Sequence, residues 1–128
     1  EGADVVALCL TGTENTKKIM RAQRLDKMKN GAVLLNIGRG TAVDQQALYE
    51  ELKSGRLGGA ALDVADPEPL PPEHPLWDLE NLILTPHVSG NDSLDHTTDT
   101  IIDLFLENLR LYSEGKPMHH VIDRKVGY

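Results

Sequence analysis

The chain has 128 residues, about one domain, and a hydrophobic content of 40% is ordinary for a globular protein. The formal net charge is -7 and the longest basic run is the pair Lys17 and Lys18, which argues against nucleic acid as a partner. No apolar stretch approaches the roughly 20 residues of a membrane span. Without a secretory signal pattern, we expect a cytoplasmic protein.

Short continuous apolar runs predict strands that are covered on both faces, as the strands of a parallel sheet are. The runs are Val5 to Leu10, which contains the single cysteine Cys9 as an expected buried residue, Ala32 to Ile37, Gly59 to Leu62, and Leu82 to Thr85. Residues 13–30 are predicted to hold a helix of about ten residues. A second helix begins at the cap Asp44 and ends at Gly55. This alternation predicts an α/β fold with a doubly wound parallel sheet.

The second half of the chain breaks this pattern. Residues 66–74 are predicted to be a rigid loop, because their prolines prevent regular hydrogen bonding. A long helix is predicted from Asn91 or Asp92 to about Ser113, with one apolar face that we expect to be core or interface. That face consists of Leu94, Thr98, Ile101, Ile102, Phe105, Leu109 and Tyr112.

Polar residues stand where the predicted strands end. Thr11, Arg39, Asp63 and His87 each follow one of the four runs, and Arg39 lies between two glycines. Ligands of open parallel sheets bind outside the carboxyl ends of the strands, so we expect an active site at this edge. Taken singly, three of these residues have a structural alternative: a surface ion pair for Arg39, a helix or turn cap for Asp63, and a capping or packing role for His87.

Together these side chains suggest a reaction. The planar fork of Arg39 matches a carboxylate, and the imidazole of His87 is suited to proton transfer near neutral pH. Glu68, if held beside His87, favours the protonated ring, although an acidic loop residue is otherwise simply solvated. An arginine on a carboxylate and a histidine on a carbonyl oxygen indicate reduction of a 2-oxo acid. The hydride must come from a nicotinamide, because no side chain supplies one.

Three linked motifs resemble the D-isomer-specific 2-hydroxyacid dehydrogenases. They are Asn36 to Gly40 with Val43 and Asp44, Ala61 to Val64 with Glu68 to Leu70, and His74 to Leu76 with Thr85 to His87. Their order and spacing agree over essentially the whole chain. The proline-rich segment 70–77 and the end of the chain look most similar to glyoxylate/hydroxypyruvate reductase-like members.

The resemblance implies roles for particular residues. Arg39 would bind the substrate carboxylate, His87 would be the acid/base, and Glu68 would be its partner. The dinucleotide, NAD or NADP, would contact Leu10, Thr11, Ile37, Gly38, Arg39, Asp63, His87, Ser89 and Gly90. No metal is implied, and no Cys/His cluster has suitable spacing. The substrate would be a small 2-oxo or 2-hydroxy acid.

The sequence contains no Gly-x-Gly-x-x-Gly turn, which family members carry upstream. We therefore expect residues 1–113 to be the second half of a Rossmann-type dinucleotide domain with the C-terminal helix. Residues 114–128 would be a tail that docks on a substrate domain outside this chain. Such a fragment is expected to be inactive alone. The resemblance also implies a homodimer for the full-length protein, because the family is usually dimeric. A corepressor-like NAD(H) sensor and a decayed Rossmann-like scaffold are the alternatives to an enzyme.

Overall fold

A computed structural model of the chain describes residues 2–90 and 95–127. These residues form two compact units, 1–89 and 90–128. The first unit contains the parallel sheet and every predicted site residue except Gly90. The expected division at residue 113, with a docking tail after it, stays a prediction.

The first unit is built around four parallel strands, in agreement with the predicted fold class. The strands are β1 (Val5–Leu8), β2 (Val33–Asn36), β3 (Gly59–Leu62) and β4 (Leu82–Leu84). Their order in the sheet is β1-β2-β3-β4. The register aligns Ala7, Leu35, Ala61 and Ile83 in one row. All four carboxyl ends therefore lie at one edge, as the position of the polar residues predicts.

The two faces of this sheet differ in burial. On one face Leu8, Leu34, Ala60 and Leu62 are buried in a single apolar core. On the other face the row that ends at Ile83 contains no buried residue, and Ile83 itself is 65% exposed. The expectation of burial on both faces is therefore wrong for this chain. Cys9, which directly follows β1, is also exposed rather than buried.

Helix α2 (Gln45–Lys53) packs against the buried face and matches its sequence prediction. The carboxylate of Asp44 accepts the Ala47 N–H at 3.3 Å, which satisfies one of the free amides of the first turn. Leu48 and Leu52 lie in the core, and burying a leucine side chain stabilises a fold by about 1.5–3 kcal/mol. Gly55 ends the helix with a φ of 73°.

Residues 13–30 differ from the prediction of one helix of about ten residues. Helix α1 covers only Ala22–Leu25, because residues 14–18 form turns and Met20 pairs with Val43 in the segment after β2. The Met20 N–H donates to the Ala42 carbonyl at 2.9 Å, and the Asp44 N–H donates to the Met20 carbonyl at 3.0 Å. Met20 is buried, so its apolar side chain packs in the core from a strand-like bridge and not from the face of a helix.

The second unit contains helix α3 (Asp95–Ser113). Its predicted start at Asn91 or Asp92 lies outside the described residues. Of the helix side chains that the structure describes, only Leu111 is buried, and most of the predicted apolar face is exposed. Ile101, Phe105 and Tyr112 are 58%, 64% and 71% exposed. Within the described ranges, no helix is long and apolar enough to cross a membrane.

Candidate active site

Two glycines bring the loop after β2 against its neighbours at the carboxyl edge of the sheet. A Cβ added to Gly38 would lie 2.6 Å from the backbone nitrogen of Leu10, in the segment after β1. A Cβ added to Gly40 would lie 1.8 Å from the carbonyl oxygen of Ala65, in the segment after β3. Only glycine permits these approaches, because both neighbours are backbone. Arg39 therefore stands between the segments that follow β1 and β3.

Asn36 fixes the loop that carries Arg39. This fully buried side chain donates to the Arg39 carbonyl at 2.9 Å and accepts the Gly38 N–H at 3.2 Å. Asn36 belongs to one of the three sequence motifs, but the sequence did not predict a role for it. Its signal was an amide at the end of an otherwise apolar strand, where a buried polar group needs partners.

The Arg39 side chain is exposed, and its Nη1 donates to the Gly38 carbonyl at 2.8 Å. It forms no ion pair with another described residue. Arg39 lines a depression whose other residues are Gly12, Thr13, Glu14, Lys17 and Thr41. An exposed guanidinium whose charge is not neutralised by a neighbouring carboxylate is available to a carboxylate ligand.

Asp63 ties the end of β3 to the segment after β4. Its Oδ1 accepts from the Thr85 hydroxyl at 2.5 Å and from the Val88 N–H at 2.9 Å, and its Oδ2 accepts the Ser89 N–H at 2.9 Å. The residue is 4% exposed. Burial raises the pKa of this carboxyl, but the hydrogen bonds from Ser89, Thr85 and Val88 outweigh burial and hold the pKa well below its ordinary value.

His87 occupies an unusual backbone conformation in the segment that Asp63 holds. Its φ is 56°, in the left-handed region that non-glycine residues rarely adopt. Its N–H donates to the Thr85 carbonyl at 3.0 Å, which closes a tight turn directly after β4. The turn is held from both sides, because the Thr85 hydroxyl before His87 and the Val88 and Ser89 N–H groups after it all donate to Asp63.

The imidazole of His87 meets the carboxylate of Glu68. Nδ1 of the histidine lies 2.9 Å from Oε1 of the glutamate. The two side chains are 47% and 39% exposed. A carboxylate at Nδ1 favours the tautomer that carries its proton there. The Nε2 atom is thereby left to exchange a proton with a ligand.

Asp63 and Glu68 also line one cavity of about 540 Å³ beside the ends of β3 and β4. Most of its other lining is apolar and includes Leu70, Leu84 and Trp77. The Trp77 indole N–H donates to the Pro71 carbonyl at 2.8 Å, so this tryptophan braces the proline-rich loop. The cavity is large enough for a small organic ligand.

The structure thus brings some of the predicted site residues together. Glu68 contacts His87, Asp63 contacts Ser89, and Gly38 packs on Leu10. Arg39 and Glu68 line separate depressions. Thr11 is exposed after β1, and Gly90 has open space where a Cβ would be. The catalytic and cofactor-binding roles of all these residues stay predictions.

The same edge also exposes two aliphatic side chains. Ile37 and Val88 follow β2 and β4, and their side chains are 51% and 46% exposed although both are aliphatic. Exposed aliphatic groups beside a guanidinium suit a ligand that combines a flat ring with anionic groups. Among the described residues, no group of three or more His, Cys, Asp or Glu side chains could hold a metal ion.

A family model matches most of the chain. The model of the D-isomer specific 2-hydroxyacid dehydrogenase, NAD binding domain, matches residues 1–89. A glyoxylate reductase of Thermofilum pendens is 45% identical over 126 residues, 98% of this chain and 37% of that protein. A glyoxylate reductase/hydroxypyruvate reductase of Homo sapiens is 37% identical over 116 residues, 91% of this chain and 35% of that protein. The chain therefore spans well under half the length of these curated relatives.

Solved structures agree in fold. A D-isomer specific 2-hydroxyacid dehydrogenase from Xanthobacter autotrophicus Py2, in complex with NADPH and MES, superposes with a TM-score of 0.89 at 35% identity. The match covers 99% of this chain and 51% of that one. An NADPH-dependent glyoxylate/hydroxypyruvate reductase from Sinorhizobium meliloti, in complex with NADP and sulfate, gives 0.86 at 32% identity. That match covers 98% of this chain and 40% of the other.

Proposed function

The chain belongs to the D-isomer specific 2-hydroxyacid dehydrogenase family, and we propose that it is part of an oxidoreductase that reduces a small 2-oxo acid with NADH or NADPH. The product would be the D-2-hydroxy acid. Glyoxylate and hydroxypyruvate are the proposed substrates, supported by the names of similar proteins. The observation that carries this proposal is the Glu68–His87 pair at the carboxyl edge of the sheet.

In this proposal, Arg39 binds the substrate. Its guanidinium forms two parallel charge-assisted hydrogen bonds with the substrate carboxylate, which fixes the position of the adjacent carbonyl group. The role is supported by the exposed guanidinium and by the buried Asn36 that fixes the Arg39 backbone. A 2-oxo acid suits such a residue because its carboxylate and its reacting carbonyl are neighbours.

His87 would act as the general acid. Its Nε2 donates a proton to the carbonyl oxygen while a hydride forms the new C–H bond at the carbonyl carbon, so the product is an alcohol. Glu68 stabilises the protonated imidazole before the transfer and keeps Nδ1 protonated after it. In the reverse direction the neutral ring accepts the hydroxyl proton. The role is supported by the 2.9 Å contact at Nδ1, which leaves Nε2 for the substrate.

A bound nicotinamide dinucleotide would supply or accept the hydride. We propose that Leu10, Thr11, Ile37, Gly38, Arg39, Asp63, His87, Ser89 and Gly90 contact it. The exposed aliphatic side chains of Ile37 and Val88 favour an apolar ring at this edge. Since Asp63 accepts hydrogen bonds from Thr85, Val88 and Ser89, this carboxylate would also fix the backbone on which the site is built.

The test is an assay of the full-length protein with glyoxylate and hydroxypyruvate, following the absorbance of NADH and of NADPH. Turnover of either acid with either cofactor is the expected result. Cofactor binding without turnover over a broad panel of 2-oxo acids would instead favour a sensor protein. Absence of both binding and turnover would favour a decayed scaffold.

Further features of the complete protein also belong to the proposal. We propose that this chain is a fragment that is inactive alone, and that its residues 114–128 dock on a separate substrate domain. The complete enzyme would be a cytoplasmic homodimer. Light scattering of the full-length protein tests the dimer, cell fractionation tests the location, and an assay of residues 1–128 tests the inactivity of the fragment.

A further inference from the structure

Gln45 binds the backbone of Asp66 through both ends of its side-chain amide. Its Nε2 donates to the Asp66 carbonyl at 2.9 Å, and its Oε1 accepts the Asp66 N–H at 2.8 Å. The side chain is buried, with 9% exposure. Two hydrogen bonds between one planar amide and one residue restrict both the position and the rotation of that residue.

Gln45 itself is rigidly mounted. It is the first residue of α2, directly after the capping Asp44, and the same helix places Leu48 and Leu52 in the core. The amide therefore extends from a fixed helix end to a residue 21 positions further along the chain. Asp66 is held relative to the core of the unit rather than relative to other loop residues.

The residue that Gln45 holds lies just before Glu68. The segment between β3 and Glu68 is fixed at Asp63 by hydrogen bonds, at Ala65 by the close approach of Gly40, and at Asp66 by Gln45. Only Pro67 separates the last of these points from the glutamate. The position from which the Glu68 side chain reaches His87 therefore depends on this last point.

The Glu68–His87 pair needs such support because it is half exposed. Its side chains are 39% and 47% exposed, and ion pairs that water reaches in this way stabilise a protein very little. An attraction this weak does not by itself fix the positions of two loops relative to each other. The backbone anchors on either side must therefore keep the carboxylate within hydrogen-bond distance of Nδ1.

We propose that Gln45 is a positioning residue for catalysis, which holds Glu68 against His87 through the backbone of Asp66. The inference rests on the proposed function, in which His87 is the general acid. Gln45 itself touches neither substrate nor cofactor in this proposal. Its loss lets Glu68 move away from Nδ1, so that the imidazole is no longer fixed in one orientation and one tautomer.

The kinetic test replaces Gln45 in the full-length enzyme. Gln45→Met keeps the length and approximate volume of the side chain but removes both hydrogen bonds. We expect kcat with glyoxylate to fall about tenfold, a part of the total general-acid contribution, while KM stays within about threefold because Arg39 is unaffected. Gln46→Met is the matched control. Gln46 is the exposed neighbour on the same helix, and its Nε2 donates to the Glu50 carboxylate one turn later.

The second measurement reads the imidazole directly. In protein labelled with ¹⁵N-histidine, at a pH where the ring is neutral, the nitrogen shifts should place the His87 proton on Nδ1 in the wild type. Gln45→Met should move the proton towards Nε2, whereas Gln46→Met should not. Gln45→Glu, which keeps the bond to the Asp66 N–H but places a carboxylate against its carbonyl, should give an intermediate shift and serves if Gln45→Met does not fold.

The outcomes separate the inference from the function on which it rests. If the wild type reduces no 2-oxo acid, the proposed function fails, and the tautomer of His87 alone decides the role of Gln45. If the wild type is active and both Gln45 variants keep the wild-type kcat and tautomer, the inference is overturned. A lower melting temperature with unchanged kcat and tautomer would likewise overturn it, because it would mean that the two hydrogen bonds serve the fold alone.

Discussion

The Nδ1 atom of His87 lies 2.9 Å from the Oε1 atom of Glu68, although the two residues are 19 positions apart and sit in different loops. Three contacts made by other residues fix the two loops that carry this pair. Asp63 holds the backbone after His87, Gly40 packs on Ala65, and Gln45 holds Asp66. The pair is thus placed by its surroundings more than by its own attraction.

Removal of the proposed acid should abolish most of the turnover. We expect His87→Ala in the full-length enzyme to lower kcat by about 10²–10⁴, the usual contribution of a general acid, and Glu68→Gln to lower it less. Steady-state assays with glyoxylate measure both. Glu73→Gln, which changes an exposed glutamate of the same proline-rich loop, should leave kcat unchanged. Wild-type turnover in His87→Ala would contradict the assignment.

Replacement of the arginine tests substrate binding. Arg39→Lys keeps the charge but loses the planar fork, so we expect kcat/KM for glyoxylate to fall about tenfold to a hundredfold, the equivalent of about 1.5–3 kcal/mol. Because the contact is made with the ground-state carboxylate as well, KM should rise. Arg21→Lys, on the exposed residue before α1, is the control. An unchanged KM would show that the guanidinium does not bind the acid.

Part of this site is visible in the sequence, and part is not. Strand ends can be located because apolar runs stop there, and Asp44 and Gly55 mark α2 by their capping chemistry. The helix expected over residues 13–30 is mostly absent because residues 18–20 pair with residues 41–44. Such pairing between distant segments has no local signature, and tertiary contacts override helix propensity.

The role of Gln45 was missed for the same reason. In the sequence it is one helix residue after a cap, with nothing to distinguish it from Gln46. Its partner is the backbone of a residue 21 positions away, and the type of a residue does not predict which backbone group its side chain will bind. The left-handed backbone of His87 was equally hidden, since only a few per cent of non-glycine residues adopt that region and a histidine in the sequence does not reveal that it does so.

Low pH should weaken the hydrogen bonds that the Asp63 carboxylate accepts and so lower the stability of the fold. The pKa of this carboxyl is lowered in the folded protein, because hydrogen bonds from Ser89, Thr85 and Val88 outweigh burial. Its contribution to stability is therefore fully present above the unfolded-state pKa of about 3.9 and is lost as the pH falls from there towards the folded-state value. Above that range we expect Asp63→Asn to lower the free energy of unfolding by about 1–3 kcal/mol, because the new amide nitrogen cannot accept an N–H.

Urea unfolding at about pH 7 and about pH 3 measures this effect. The difference between wild type and Asp63→Asn should be smaller at the lower pH, where the wild type has lost part of its advantage. Asp26→Asn changes an exposed aspartate, so its difference from the wild type in free energy of unfolding should be the same at both pH values. A difference of equal size at both pH values would mean that the ionised carboxylate of Asp63 does not carry the stabilisation.

A single methyl group at residue 40 should disrupt the site from within the backbone. The Cβ of Gly40→Ala would lie 1.8 Å from the Ala65 carbonyl oxygen and 2.1 Å from its carbon, so the segments after β2 and β3 must separate. We expect a loss of about 3 kcal/mol or more in the free energy of unfolding, at the upper end of overpacking costs. Gly90→Ala is the control, because its Cβ would meet no atom of the described residues within 4 Å. If Gly40→Ala unfolds at the wild-type urea concentration, the close approach of these segments is not what holds Arg39 in place.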